Sequence, residues 1–343
     1  MNVLPKPRDP YLDSLKGFAI LLVVLGHSLQ SCIPDFDNNV VFRVIYSFHM
    51  PLFMFLCGIA AFLSSENKPI LRTLKSNARR LVVPFLSWYF LVHYILLGDY
   101  KQFTFRDYAL RLIRSTDFGL WFLWVLFLCY VVLCVYRPIT NLSHRFIKAR
   151  RVMAGDLLIA GAFALTGCAL AFTLLHSGFL GLNGLQWFFP FFISGYLVTK
   201  YHGFFQAWRR KTQWTALILF PILVCAWQRT HNSDLIQHIG IYLHHPAVAG
   251  TIYRYVVAFL GIAATMMMVR KLRNSRIGLW LAWLGMATMD IYVCHLNVLS
   301  MTAGPGLSRI VITFLSGLGL SLLLAFGLLR RFRILGFVFL GRP

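Results

Sequence analysis

Long unbroken apolar stretches separated by short polar loops set the pattern of this chain. Runs of the roughly 17–25 residues that a helix needs to cross a bilayer fall near 17–33, 43–64, 81–98, 120–136, 157–175, 185–199, 214–228, 251–269, 278–300 and 310–329. The pattern predicts an all-α polytopic membrane protein with about ten transmembrane helices, built as one integral-membrane domain over 1–343. No small-residue cleavage site follows the first run and the next begins after a very short loop, so the first run is expected to remain in the mature chain.

Composition agrees with the pattern. With 58% hydrophobic and 13% charged residues, the chain has too little polar surface to cover a water-soluble globule. The formal charge of +22 invites a nucleic-acid reading, but its distribution points to membrane orientation. With Lys6 and Arg8 inside, alternate loops carry Lys68, Arg72, Lys75, Arg79 and Arg80, then Arg137, Arg145, Lys148, Arg150 and Arg151, then Lys200, Arg209, Arg210 and Lys211. Arg270, Lys271, Arg273 and Arg276 follow, and Arg330, Arg331, Arg333 and Arg342 come last. This is the cytoplasmic excess of Lys and Arg of a bacterial inner-membrane protein. An even number of spans puts both termini inside, and no nucleic-acid partner is expected.

One outward loop, 99–119, mixes Lys101, Arg106, Arg111 and Arg114 with Asp99, Asp107 and Asp117. The spacing in "YKQFTFRDYALRLIRSTDF" suits an amphipathic helix at the outer interface. Six cysteines fall within spans and Cys32 lies near the outer face, so no disulfide framework is expected. His244 and His245, in the outward loop at 229–250, lack companion ligands at metal spacing and read as a loop feature; no metal is expected. No internal repeat or soluble domain is visible, so chemistry falls to residues on the membrane helices or at their ends.

In "KGFAILLVVLGHSLQSC" the first run holds Lys16 at its mouth and His27 eleven residues on. On an α-helix that spacing is about 1,100° of rotation, within ~20° of one face, and a rise of roughly 16 Å. Asp13 joins the same face and can pair with Lys16. Ionisable groups inside a membrane are expensive, so they usually face a polar cavity and mark a functional path; the alternative for His27 is a packing histidine bonded to a neighbouring helix.

His27 has company. The second run opens with "FHMPLFMFLCG", placing His49 and Pro51 near its outer end, with Pro51 expected in a first helical turn. "NARRLVVPFLSWYF" puts Arg79 and Arg80 at the cytoplasmic edge of the third, and "MDIYVCHLN" puts Asp290 and His295 inside the ninth. Five residues apart, Asp290 and His295 point in different directions; Asp290 reads as packing, while His49 and His295 are candidates for the acceptor side of a cavity. Aromatic clusters at "LWFLW" and "GLQWFFPFF" read mainly as interface belts.

The run "RDPYLDSLKGFAILLVVLGH" resembles the opening of membrane acyltransferase family 3, whose first helix bears a basic residue, ten intervening residues and a histidine. The likeness continues through "FHMPLFMFLCG", the basic start of the third helix, "LWFLWVLF" at 120–127 and "IYVCHL" at 291–296. It implies a ten-helix enzyme that takes an acetyl group from cytoplasmic acetyl-CoA and places it on a carbohydrate hydroxyl, with His27 catalytic and Lys16 its basic partner. Arg79 and Arg80 match the basic residues that open the family's third helix. Lys16 stands where Arg is commoner, offering a point charge in place of a planar fork, and Cys57 stands before Gly58 where Ser is frequent.

The chemistry fits that implication. Acetyl transfer from a thioester to a hydroxyl needs a base, and an unperturbed histidine titrates near neutrality. Glu66, the chain's lone glutamate, falls at a cytoplasmic helix end. The sequence reading is a membrane O-acetyltransferase with His27 as general base, Asp13 orienting Lys16, and Arg79 and Arg80 meeting the CoA phosphates. The acceptor would be an exopolysaccharide, O-antigen or lipid-linked oligosaccharide. An acyl-His intermediate is a second route. The alternative class is an export component or transporter without transferase chemistry, for which matched halves with broken helices are the expected mark.

Overall fold

The computed structural model describes residues 9–65, 68–116, 119–174, 179–229 and 246–342. Lys6, Arg8, Glu66, Asp117, His244 and His245 lie outside the described residues. Among the described residues the secondary structure is helical throughout, with no strand. Five helices among the described residues are long and apolar enough to cross a membrane: Pro10–Cys32, Val40–Ser64, Trp121–Ser143, Val248–Leu272 and Leu307–Leu329. A sixth crossing is counted if Arg276–Met286 and Thr288–Thr302 are taken together, and that pair is bent by 77°. The run read as one span over 278–300 is therefore two helices.

The chain divides into two compact units. The first comprises residues 1–56 and 206–322. It holds α1 (Pro10–Cys32) and the start of α2 (Val40–Ser65). Asp9 caps α1, its carboxylate accepting from Tyr11 N–H at 3.0 Å, and Pro10 occupies a first-turn position where a missing N–H does no harm. α2 begins earlier than the pattern predicts, because Asn39 accepts from Phe42 N–H at 3.0 Å and starts the helix at Val40. Pro51 is consequently inside α2 and not in its first turn, a break that membrane helices tolerate where neighbours satisfy the freed backbone.

Around α1 stand parts of four more helices of this unit: α10 (Pro246–Leu272), α11 (Arg276–Met286), α12 (Thr288–Thr302) and α13 (Leu307–Leu324). Tyr11 donates to the Met266 carbonyl at 2.7 Å and Ser14 to the Gly278 carbonyl at 2.9 Å. Gly17 and Gly285 let α1 and α11 touch backbone to backbone, since a Cβ on Gly17 would strike the Leu281 carbonyl and one on Gly285 the Asp13 carbonyl. The α9 helix (His202–Val224) joins by Phe220, edge-on to Phe48 with ring centroids 5.3 Å apart.

The second unit, residues 57–205 and 323–343, holds α3 (Ile70–Asn77), α4 (Val83–Ser87), α5 (Phe105–Arg114), α6 (Trp121–Ser143), α7 (Val152–Leu174), α8 (Leu182–Lys200) and α14 (Arg333–Leu340). π-helical stretches at Ala78–Val82 and Trp88–Leu96 flank α4. The predicted amphipathic helix forms as α5, capped by Thr104 and anchored by buried Tyr108, which stacks on Tyr89 at 4.4 Å and donates to Asp99 at 2.7 Å. At the start of α7 the fully buried Asp156 accepts from Lys200 at 2.7 Å and Tyr201 at 2.6 Å and meets His144 Nε2 at 2.7 Å. This cluster ties α7 to the ends of α6 and α8.

Candidate functional site

Asp13, Lys16 and His27 all lie on the continuous helix α1. Lys16 Nζ lies 3.3 Å from Asp13 Oδ1, both partly exposed, so the entrance of the helix carries a charge pair. Eleven residues further along, His27 stands half-buried at the centre of a cluster of rings. Its ring centroid is 5.3 Å from that of His295 on α12 and 6.3 Å, edge-on, from Tyr46 on α2. Tyr46 in turn is 4.7 Å from His49. The structure thus brings together three sequence-predicted residues, His27, His49 and His295, within one unit.

Their hydrogen bonds decide which nitrogens carry lone pairs. His49 Nδ1 donates to the Ile45 carbonyl at 2.8 Å, one helical turn back. His295 Nδ1 donates to the Tyr292 carbonyl at 2.7 Å and approaches the Ile291 carbonyl at 3.2 Å. A neutral imidazole that gives its proton at Nδ1 keeps an acceptor at Nε2. His295 is fully buried, and its Nε2 finds no hydrogen-bond partner within the protein. A buried acceptor left open beside a second imidazole is suited to a hydroxyl-bearing ligand.

Two members of the cluster were not legible as site residues. Gln30 places its side-chain oxygen 3.3 Å from His27 Nδ1 and accepts from the Tyr46 hydroxyl at 2.9 Å. The signals were spacings: Gln30 is one turn beyond His27 and Tyr46 is three residues before His49. Asp290, read as packing, is fully buried in the first turn of α12.

Arg79 and Arg80 belong to the second unit, on the π-helical stretch Ala78–Val82. Arg80 is exposed and Arg79 half-buried, with Arg79 Nε lacking a partner in the protein. Gly341, at φ +61°, rests on their backbone where a Cβ would meet Arg80 Cα at 2.6 Å. π-Bulges inside α-helices are frequent at functional sites. Among the described residues no group of three or more His, Cys, Asp or Glu is placed to hold a metal ion.

A family model described as an acyltransferase domain matches residues 9–330. The chain is similar to a nodulation protein NolL of Mesorhizobium japonicum, 27% identical over 227 residues, 64% of this chain and 56% of the relative. It is also similar to a nodulation protein NolL of Sinorhizobium fredii, 28% identical over 202 residues, 56% of this chain and 49% of the relative. The matched region thus spans about half the length of these curated relatives. No solved structure matches.

Proposed function

Since this chain belongs to the acyltransferase-domain family, we propose that it is a ten-span enzyme of the bacterial inner membrane, with both termini cytoplasmic, that moves an acetyl group from acetyl-CoA to a carbohydrate hydroxyl. The acceptor is an exopolysaccharide, an O-antigen or a lipid-linked oligosaccharide. The observation that carries the reading is His27 on the first membrane helix, 5.3 Å from a buried His295 whose Nε2 is open.

In this reading the acceptor hydroxyl lies against His27. The neutral imidazole takes the hydroxyl proton as the oxygen attacks the thioester carbonyl. The new C–O bond forms, the C–S bond breaks, and the departing thiolate takes the proton back from the imidazolium. His49 and His295 hold the acceptor. Lys16, fixed by Asp13 at 3.3 Å, stands at the mouth and steers the donor inward. Arg79 and Arg80 attract the CoA phosphates by charge and hydrogen bonding.

Lys16 and His27 are eleven residues apart, roughly 16 Å along the helix. The acetyl group therefore travels that far, either on the CoA arm or by way of an acyl-His27 intermediate.

The test is the acetate content, by proton NMR, of surface and secreted polysaccharide from cells carrying the wild-type gene, a deletion, or a His27→Ala copy expressed at normal level. Loss of acetyl signal in the last two with sugar yield unchanged supports the reading. Persistent acetylation with collapsed yield sinks it in favour of an export component.

A further inference from the structure

The side-chain oxygen of Gln30 faces two donors at once. It lies 3.3 Å from His27 Nδ1 and 2.9 Å from the Tyr46 hydroxyl, which is itself 3.5 Å from His27 Nδ1. An amide oxygen only accepts. Both neighbours therefore point hydrogens at it: Tyr46 donates its hydroxyl, and the His27 ring carries its proton on Nδ1. The Tyr46 oxygen, its own hydrogen committed to Gln30, is left as a second acceptor for the same Nδ1–H.

His49 and His295 carry Nδ1 protons too, but through carbonyls of their own helices, Ile45 and Tyr292. The backbone sets those two tautomers whatever side chains surround them. At His27 the tautomer is set by a side chain on the same helix, one turn ahead, braced by a tyrosine from α2. A neutral imidazole can hold its proton on either nitrogen, and the partner of one nitrogen decides which. A base whose proton sits on the wrong nitrogen presents a donor where the reaction needs a lone pair.

We propose that Gln30, braced by Tyr46, is a positioning residue that holds His27 in the Nδ1–H form and so presents Nε2 to the acceptor hydroxyl. The inference rests on His27 being the base and adds which of its nitrogens acts and what aims it. The choice of an amide also has a chemical consequence. A carboxylate at the same place would also hold the Nδ1–H while raising the basicity of the ring, whereas a neutral amide oxygen holds it without adding a charge.

The test uses the full chain in liposomes, labelled with [15N]histidine, with the His27 ring signals assigned by their loss in His27→Ala. Solid-state NMR then reads which ring nitrogen is protonated. Gln30→Met keeps side-chain length without an acceptor, Gln30→Glu keeps the acceptor, and Tyr46→Phe removes the brace. Polysaccharide acetate is measured in parallel from cells in which enzyme level limits acetylation.

Wild type is expected to show a protonated Nδ1 and a bare Nε2 at His27. Gln30→Met loses that preference and about five- to tenfold of acetylation, the fold-change of one hydrogen bond. Gln30→Glu retains the tautomer and rescues acetylation relative to Gln30→Met; Tyr46→Phe falls roughly two- to threefold, as for a weaker, second hydrogen bond. A wild-type His27 protonated on Nε2, or a Gln30→Met protein unchanged in tautomer and acetylation while His27→Ala is inactive, overturns the positioning role alone. Normal acetylation by His27→Ala overturns the base assignment and the positioning role with it.

Discussion

The sharpest test of the packing that carries the site is a methyl group added at Gly17 or Gly285. At Gly17 a Cβ would lie 2.7 Å from the Leu281 carbonyl carbon, and at Gly285 2.6 Å from that of Asp13. Unstrained carbon contacts sit near 3.5–4.0 Å, so α1 and α11 must part by about 1 Å in either variant. The obstacle is backbone, which cannot swing aside as a long side chain would. Overpacking of this kind costs about 1–3 kcal/mol, offset in part by the roughly 0.4–1 kcal/mol that Gly→Ala contributes by restricting the unfolded chain. Gly161→Ala and Gly319→Ala are the controls, because nothing lies within 4 Å of a Cβ there. Thermal unfolding in nanodiscs, followed by tryptophan fluorescence, should show Gly17→Ala and Gly285→Ala melting several degrees below both controls. Because the two glycines share one crossing, the double variant should lose less than the sum. Equal melting of all four single variants would refute the reading of a backbone-tight crossing.

Three further outcomes are expected. Asp156→Asn leaves Lys200 and His144 facing a neutral amide at a fully buried position, and breaking a buried pair from one side costs about 3–5 kcal/mol; membrane-extracted protein should unfold at markedly lower temperature, and wild-type stability would sink the clamp. Arg229 meets Asp37 in a bidentate pair at 2.7 and 2.8 Å, but both side chains are partly exposed, so Arg229→Gln should change stability by no more than about 1 kcal/mol, less in high salt; a larger, salt-independent loss in denaturant titration would count against this. Burial of Tyr108 and the Asp99 carboxylate beside it push its phenol above the ordinary range. A raised folded pKa gives stability that is complete below the unfolded value of about 10 and is lost as pH rises through the folded one. Unfolding midpoints between about pH 9 and 11 should therefore fall more steeply in wild type than in Tyr108→Phe, and parallel curves would contradict it.

The residues legible in the sequence were those whose partners lie on one helix. Lys16, Asp13 and His27 follow from helical spacing alone, and the charge pair forms at 3.3 Å. The apolar runs gave the helical class for the same reason, since a membrane helix satisfies its backbone within itself. What pairs across helices was not legible. Tyr46 reaches Gln30 through the packing of α2 against α1, where Gly26 leaves room for the Tyr46 ring that a Cβ would meet at 2.9 Å, and a glycine carries no chemical signal of its own. Asp156 stands just before the apolar run at 157–175, and its partners Lys200 and His144 come from the ends of other helices, which spacing along one helix does not reveal. Pro51 misled because proline marks helix starts in water, while a membrane helix accommodates it within.

The bend at Ala287 explains how His295 reaches His27. Ser14 meets Gly278, Gly17 meets Leu281 and Asp13 meets Gly285, so the eight residues from Gly278 to Gly285 of α11 lie against little more than one turn of α1. A straight continuation would place His295, ten residues past Gly285, a helical rise of roughly 15 Å further along the same axis. Instead Ala287 takes φ −101° and ψ 7°, the Thr288 hydroxyl donates to the Gly285 carbonyl at 2.7 Å, and α12 leaves at 77°. The turned helix brings fully buried His295 to within 5.3 Å of His27, which lies fourteen residues past Asp13. The two helices formed by this one apolar run thus meet α1 at two depths, α11 beside the charge pair and α12 beside the histidine.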